Sequence, residues 1–195
     1  VSETSIGMTL AQFYLNTYLK SELIPNIIGN KRITRLERFN YMSKKASAKE
    51  LLGIFQIALE TLESDFGSWQ TTWGSFNRYQ RNNGSIFQTF DDNKESLPVG
   101  MASGTWGALA SYGTRFGKDT KRQYGVAGNS FVAVVEFGEK LRAKSMLAGG
   151  QSGDPTSPHF DDQSERYANG TFKNVAFYRS DVEKRAISTY HPGEK

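Results

Sequence analysis

The sequence predicts an α+β fold, with a helical front half and a back half of strands and loops. Three observations carry that prediction. Two stretches in the first 70 residues repeat apolar side chains at steps of three and four, the spacing of a helix face. Glycine is unevenly spread: the first 65 residues hold only Gly7, Gly29 and Gly53, whereas glycines crowd between Gly84 and Gly153. Phe131-Val-Ala-Val-Val135 is a continuous aromatic and β-branched run, which reads as a strand. The chain divides accordingly into residues 1–70, mainly helical; 71–125, irregular loops; and 126–195, strands and loops returning to the core.

Residues 8–24 place Leu10, Phe13, Tyr14, Thr17, Tyr18 and Leu19 at helical spacing. Thr9 stands as the cap, and Pro25 as the stop after Ile24, because proline lacks an N–H and clashes with the preceding turn. A second helix is predicted over 47–66. Ser47-Ala-Lys-Glu50 fits a capping box, in which serine and glutamate satisfy each other's orphan backbone donors. Leu51, Leu52, Phe55, Leu59, Leu62 and Phe66 form its apolar stripe, which reads as core, and Gly67 is its C-cap. Between the helices lie Lys31, Arg32, Arg35 and Arg38. They read as an anion or nucleic-acid patch, or as a solvated face with Glu37 interspersed. The lack of a Gly-rich or aromatic-interleaved context favours the solvated face.

In the back half, Trp69, Trp73 and Trp106 sit in Gly/Ser-rich surroundings. Exposed, they would suit a carbohydrate platform; burial is the reading favoured. Residues 84–123 are polar and weakly patterned, and read as a long excursion over the surface or along a cleft, with little regular structure. Residues 131–135 are apolar on both faces, which predicts a strand sandwiched between layers, with 143–148 as hairpin partner. Glu136 ends that strand. Burying an unpaired charge is costly, so Glu136 has either a salt-bridge partner or a chemical task.

The segment from Gly149 to Gln163 contains Ser152, His159 and Asp161, which invites a catalytic-triad reading. A nucleophile elbow needs a second glycine where Asp154 stands, and a triad within ten residues of one loop lacks the strand-to-helix geometry such a serine uses. The same stretch has neither EF-hand spacing nor paired histidines, so no metal site is predicted.

Composition narrows the function classes. A net charge of +4 with both signs interspersed is not a nucleic-acid footprint. With 37% hydrophobic and 13% aromatic residues the chain can bury a core. No apolar run approaches the roughly 20 residues of a membrane helix. Val1-Ser-Glu-Thr lacks the pattern of a signal peptide. The absence of cysteine removes disulfides, thiolate metal sites and thiol nucleophiles together.

Three of these segments, in this order, resemble the penicillin acylase family of N-terminal-nucleophile amidohydrolases, which includes acyl-homoserine-lactone and cephalosporin acylases. Trp73-Gly74 with Arg78 is similar to its tryptophan–glycine segment after a long helix. Asn129-Ser130-Phe-Val-Ala-Val-Val-Glu136 is similar to its late buried strand. Gly150-Gln-Ser-Gly-Asp-Pro-Thr-Ser-Pro-His159-Phe-Asp-Asp162-Gln163, with Gly170 and Phe177 beyond, is similar to its closing signature.

The resemblance implies an amide hydrolase that cleaves acyl–amine bonds such as those of β-lactam antibiotics or N-acyl-homoserine lactones. It also implies a four-layer αββα sandwich to which this chain adds late strands and flanking helices. In that family a serine at a new N-terminus attacks the amide, and its own α-amine, with a pKa near 8, is the base. Val1 carries no nucleophilic atom, so the expectation is the C-terminal segment of an acylase β chain, inactive alone. Its partners would be the rest of the acylase and a small amide substrate, with no nucleic acid and no membrane. The implied location is periplasmic or secreted. No cofactor is expected on this chain, though the resemblance allows a structural calcium elsewhere in the complete enzyme. Glu136 is the one catalytic residue implied here: in the cephalosporin-acylase branch a late-strand carboxylate orients the histidine beside the nucleophile. The alternatives are a non-catalytic carbohydrate- or protein-binding module and a degenerate acylase relative.

Overall fold

In the computed structural model, which describes residues 1–21, 27–28 and 31–193, the first helix is α1 (Ile6–Lys20). Its cap is Ser5, whose hydroxyl accepts the Met8 N–H at 3.1 Å. Thr9, the expected cap, lies inside the helix and is buried, its hydroxyl turned back to the Ser5 carbonyl at 3.3 Å. Ser5 stands directly before Ile6 with extended backbone, so the helix begins a turn sooner than its apolar pattern suggests. The expected stop at Pro25 lies outside the described residues.

A two-residue ladder pairs β1 (Ile27–Ile28) with β2 (Lys31–Arg32) and leads to α2 (Arg35–Lys44). Thr34 and Glu37 form a complete capping box there, so the acid among the arginines is a helix cap. Arg32 and Arg35 are exposed, as a solvated face requires, while Arg38 is half-buried.

The capping box predicted at Ser47 and Glu50 opens α3 (Ala48–Phe66), and Gly67 closes it at φ +78°, its N–H bonded to the Glu63 carbonyl at 2.8 Å. The buried face runs through Ile54, Ala58 and Leu62, and Leu52 is exposed. From Leu51, steps of three and four reach Ile54, Phe55, Ala58 and Leu62, whereas Leu52 is turned about 100° away. Tyr18 of α1 packs on Ile54, with Tyr14, Tyr41, Met42 and Leu51 around them.

Residues 71–125 are not only loops. They carry α4 (Trp73–Phe76), β3 (Asn77–Tyr79), β4 (Leu97–Pro98), a 3₁₀ turn at Gly104–Trp106, β5 (Tyr112–Phe116) and the start of β6 (Gln123–Gly128). These strands form a sheet in the order β4-β3-β6-β5, with β3 and β6 parallel and the other pairs antiparallel. Alternation fails to reveal β6 because Gly125 lies under the Tyr112 ring, where any Cβ would overlap the phenol. Glycine here is a packing residue rather than a turn residue.

One side-chain amide chain ties the helical half to this sheet. The Asn77 amide donates to the Val99 and Met101 carbonyls at 2.7 and 2.9 Å. Gln123 donates to Asn77 Oδ1 at 3.0 Å, and Gln12 of α1 donates to Gln123 Oε1 at 3.0 Å. Beside it Phe13, Phe66 and Phe76 meet edge to face, with Phe13 and Phe76 4.9 Å apart.

The third sheet is β7 (Phe131–Glu136), β8 (Arg142–Leu147) and β9 (Lys173–Val175), antiparallel and in that order. The expected hairpin forms, its second strand set one residue earlier than predicted. Among the described residues β7 is an edge strand rather than the expected sandwiched one, and Val132 is its one residue that is not exposed, packing on the core of Val99, Tyr112, Met146 and Tyr167. The short helices α5 (Ser164–Ala168) and α6 (Arg179–Arg185) complete the described elements.

Candidate functional site

Glu136 stands at the end of β7, opposite Arg142 at the start of β8. Its Oε1 accepts from the Arg142 guanidinium at 2.7 Å, and the side chains are 60% and 75% exposed. The carboxylate therefore has the salt-bridge partner that the sequence left open, in solvent, where such a pair adds little stability. Oppositely charged residues at matching ends of a hairpin were the signal that could have named Arg142. Among the described residues no histidine bonds Glu136: His159 is engaged elsewhere.

The closing segment wraps around Arg81, a residue the sequence reading did not single out. The guanidinium stacks on Phe160 and donates to the carbonyls of Phe160 and Ser152, the latter at 3.0 Å. Ser152 N–H in turn donates to the His159 carbonyl at 3.0 Å, and Gln163 N–H to the Gly149 carbonyl at 2.8 Å. Two close approaches demand glycine. A Cβ on Gly150 would run into the His159 carbonyl oxygen, and one on Gly84 into the Gly153 carbonyl oxygen. The Arg81 signal was hidden because its partners lie more than 70 residues away in sequence.

His159 Nδ1 meets Asp162 Oδ2 at 3.0 Å, and this bond holds the Asp162 carboxyl below its usual pKa range. Ser152 takes no part: its hydroxyl accepts the Asp154 N–H at 3.1 Å. Asp161 is not the acid beside the histidine either. The rejected triad is thus absent among the described residues, and the loop is a shaped connection. Arg78 likewise serves structure, donating to the Gly74 carbonyl at 2.9 Å and to both the hydroxyl and the carbonyl of Ser96.

Two clefts open beside these features. One, of about 420 Å³, lies between Phe131, Ser145 and Leu147 of the third sheet and Gln151, His159 and Asp162 of the closing loop. The other, of about 470 Å³, lies between the exposed Ile86-Phe87 tip and the Tyr112, Val126 and Tyr167 side chains. Tyr167 donates to the Asn129 carbonyl at 2.7 Å, and burial pushes its phenol up to about 12. Trp73 is buried, Trp106 is half-buried and Trp69 alone is exposed, so the tryptophans form no platform. No group of three or more His, Cys, Asp or Glu among the described residues could hold a metal ion.

With an α+β chain, a Trp-Gly helix, a strand ending in Glu136 and a glycine-dependent closing loop in place, the comparisons with known proteins agree on one family. The penicillin amidase family profile matches residues 2–184. The chain belongs to the penicillin amidase family. It is similar to the acyl-homoserine lactone acylase PvdQ of Pseudomonas savastanoi pv. phaseolicola (strain 1448A / Race 6), 31% identical over 88 residues. That stretch is 45% of this chain and 11% of the relative. The same-named acylase of Pseudomonas syringae pv. syringae (strain B728a) is 29% identical over 90 residues, 46% of this chain and 11% of that protein. The match thus spans about a tenth of the length of these curated relatives.

Proposed function

We propose that this chain is the C-terminal segment of the β chain of an acylase, an amide hydrolase that transfers an acyl group from an amine to a serine and then to water. The observation that carries this reading is the family match over residues 2–184 together with two relatives named acyl-homoserine lactone acylases. Those names favour N-acyl-homoserine lactones over β-lactams as substrates. The nucleophile is supplied by another segment, so the isolated chain is inactive, and the partner of the chain is the remainder of the acylase. The fold of the complete enzyme is the four-layer αββα sandwich, its location is periplasmic or secreted, and any structural calcium lies outside this chain.

In this reading Glu136 is a positioning residue. A carboxylate fixed on a strand end can hold an imidazole in one tautomer and offset the charge that develops on it. Its exposed pairing with Arg142 is weak enough to yield to such a partner. The test is Glu136→Gln in the complete enzyme, assayed on an N-acyl-homoserine lactone and on a penicillin. An orienting group of this kind is worth about 10²–10⁴-fold in kcat with KM little changed. A variant that turns over at the wild-type rate removes Glu136 from the machinery. Amide hydrolysis by the 195-residue chain alone removes the missing-nucleophile reading.

A further inference from the structure

The carboxylate that ends β7 is tethered through one oxygen only. Glu136 and Arg142 are directly opposed in the β7–β8 ladder, so their side chains stand on one face of the sheet. That face also carries Val132, which packs on the core. Arg142 is anchored just before its own start: the Leu141 N–H donates to the Tyr178 hydroxyl at 2.8 Å, and the Tyr178 ring meets Phe177 edge to face. A single contact joins the two charges, from Arg142 Nη2 to Glu136 Oε1 at 2.7 Å. No described residue bonds Oε2. Lys144, the next residue of β8 on that face, is bonded to neither oxygen.

We propose that Arg142 is a second positioning residue of the acylase, holding Oε1 of Glu136 so that Oε2 is the oxygen that accepts the imidazole N–H. This rests on the reading of Glu136 as a positioning residue. An imidazole can also be admitted at Oε2 without breaking the ion pair, because the guanidinium leaves that oxygen open. An untethered glutamate samples several rotamers that each turnover would have to freeze; the contact with Arg142 selects among them beforehand. The cation also offsets the cost of covering the carboxylate when a histidine and its surroundings close over it. Since one nitrogen meets one oxygen, charge and reach matter here and the planar fork of the guanidinium does not, so a lysine can stand in for the arginine.

The test is a set of variants of the complete acylase, assayed on whichever of an N-acyl-homoserine lactone and a penicillin it hydrolyses. Arg142→Met should lower kcat about tenfold while KM stays within about twofold, the loss of one charge-assisted contact in an orienting group. Arg142→Lys should keep at least about half the parent rate, and Lys144→Met should leave it within about twofold. Added to Glu136→Gln, Arg142→Met should cost less than about twofold more, because residues that act as one unit are not additive. If circular dichroism shows Arg142→Met misfolded, Arg142→Thr, a strand-forming residue, replaces it in every comparison. Parent-like turnover by Arg142→Met beside a slow Glu136→Gln overturns the proposal and leaves Glu136 in its role. Parent-like turnover by Glu136→Gln overturns both roles, and a complete protein that hydrolyses neither substrate overturns the acylase reading with them. A fully additive double variant, a lysine variant as slow as Arg142→Met, or an equally slow Lys144→Met also overturns the role of Arg142, since each assigns the loss to something other than this contact.

Discussion

The guanidinium carbon of Arg81 stands 4.1 Å from the centroid of the Phe160 ring, while the same group donates to the carbonyls on either arm of the closing loop. A planar cation can stack and donate in two directions at once; an ammonium cannot. Substituting Arg81→Lys should therefore cost nearly as much as Arg81→Met. The expected loss is about 2–4 kcal/mol, from one cation–π contact and two charge-assisted hydrogen bonds. Urea unfolding measures it, and a lysine variant as stable as the parent would show that the stacking geometry is unimportant.

The loop's glycines should divide sharply. Gly150→Ala forces a methyl into the His159 carbonyl and should destabilise by about 1–3 kcal/mol. Gly153→Ala meets open space at an ordinary backbone conformation and should change stability by less than about 0.5 kcal/mol. Thermal midpoints of the two variants, side by side, check the contrast.

At the start of α3, Ser47→Ala should cost about 1 kcal/mol, because the serine accepts the Glu50 N–H. Bonds from the Ser47 backbone and hydroxyl hold the Glu50 carboxyl below its usual range. A carboxyl depressed in the folded state stabilises above its unfolded pKa and loses that contribution as the pH falls. Acid titration of stability in the parent and in Glu50→Gln should differ in this sense, the variant being the less pH-sensitive.

At the alkaline end the sign reverses. Burial raises the phenols of Tyr79, Tyr112 and Tyr167, the last to about 12. The unfolded phenol ionises near pH 10, so stability is fully present below about pH 10 and drains away as the pH rises toward 12. The tyrosinate absorbance of these three phenols should appear late and together with loss of circular dichroism. Early ionisation of all the tyrosines with the fold retained would contradict the burial of this cluster.

What could be read from the residues followed their range of action. The α3 boundaries were legible because Ser47, Glu50 and Gly67 act on backbone within a few residues. The α1 cap was misplaced because Ser5 and Thr9 are both plausible caps and only the chain entry decides between them. The strands β5 and β6 were invisible since Gly125 makes room for Tyr112, replacing alternation by a cross-strand fit. At the site, a salt-bridge partner for Glu136 was foreseen as one of two readings. Arg142 and Arg81 were not, one missed by a single residue of register and the other by its distance along the chain.

The amide chain from Gln12 through Gln123 to Asn77 joins positions 111 and 46 residues apart. Closing such loops costs entropy before any bond repays it, so contacts of this span slow folding. A helical half that can form early must wait for its last acceptor, Gln123, to arrive from the far side of the chain. The helical N-terminal half is therefore expected to melt together with the sheet in one transition, and a proteolytic nick between the two should release neither as a free-standing piece.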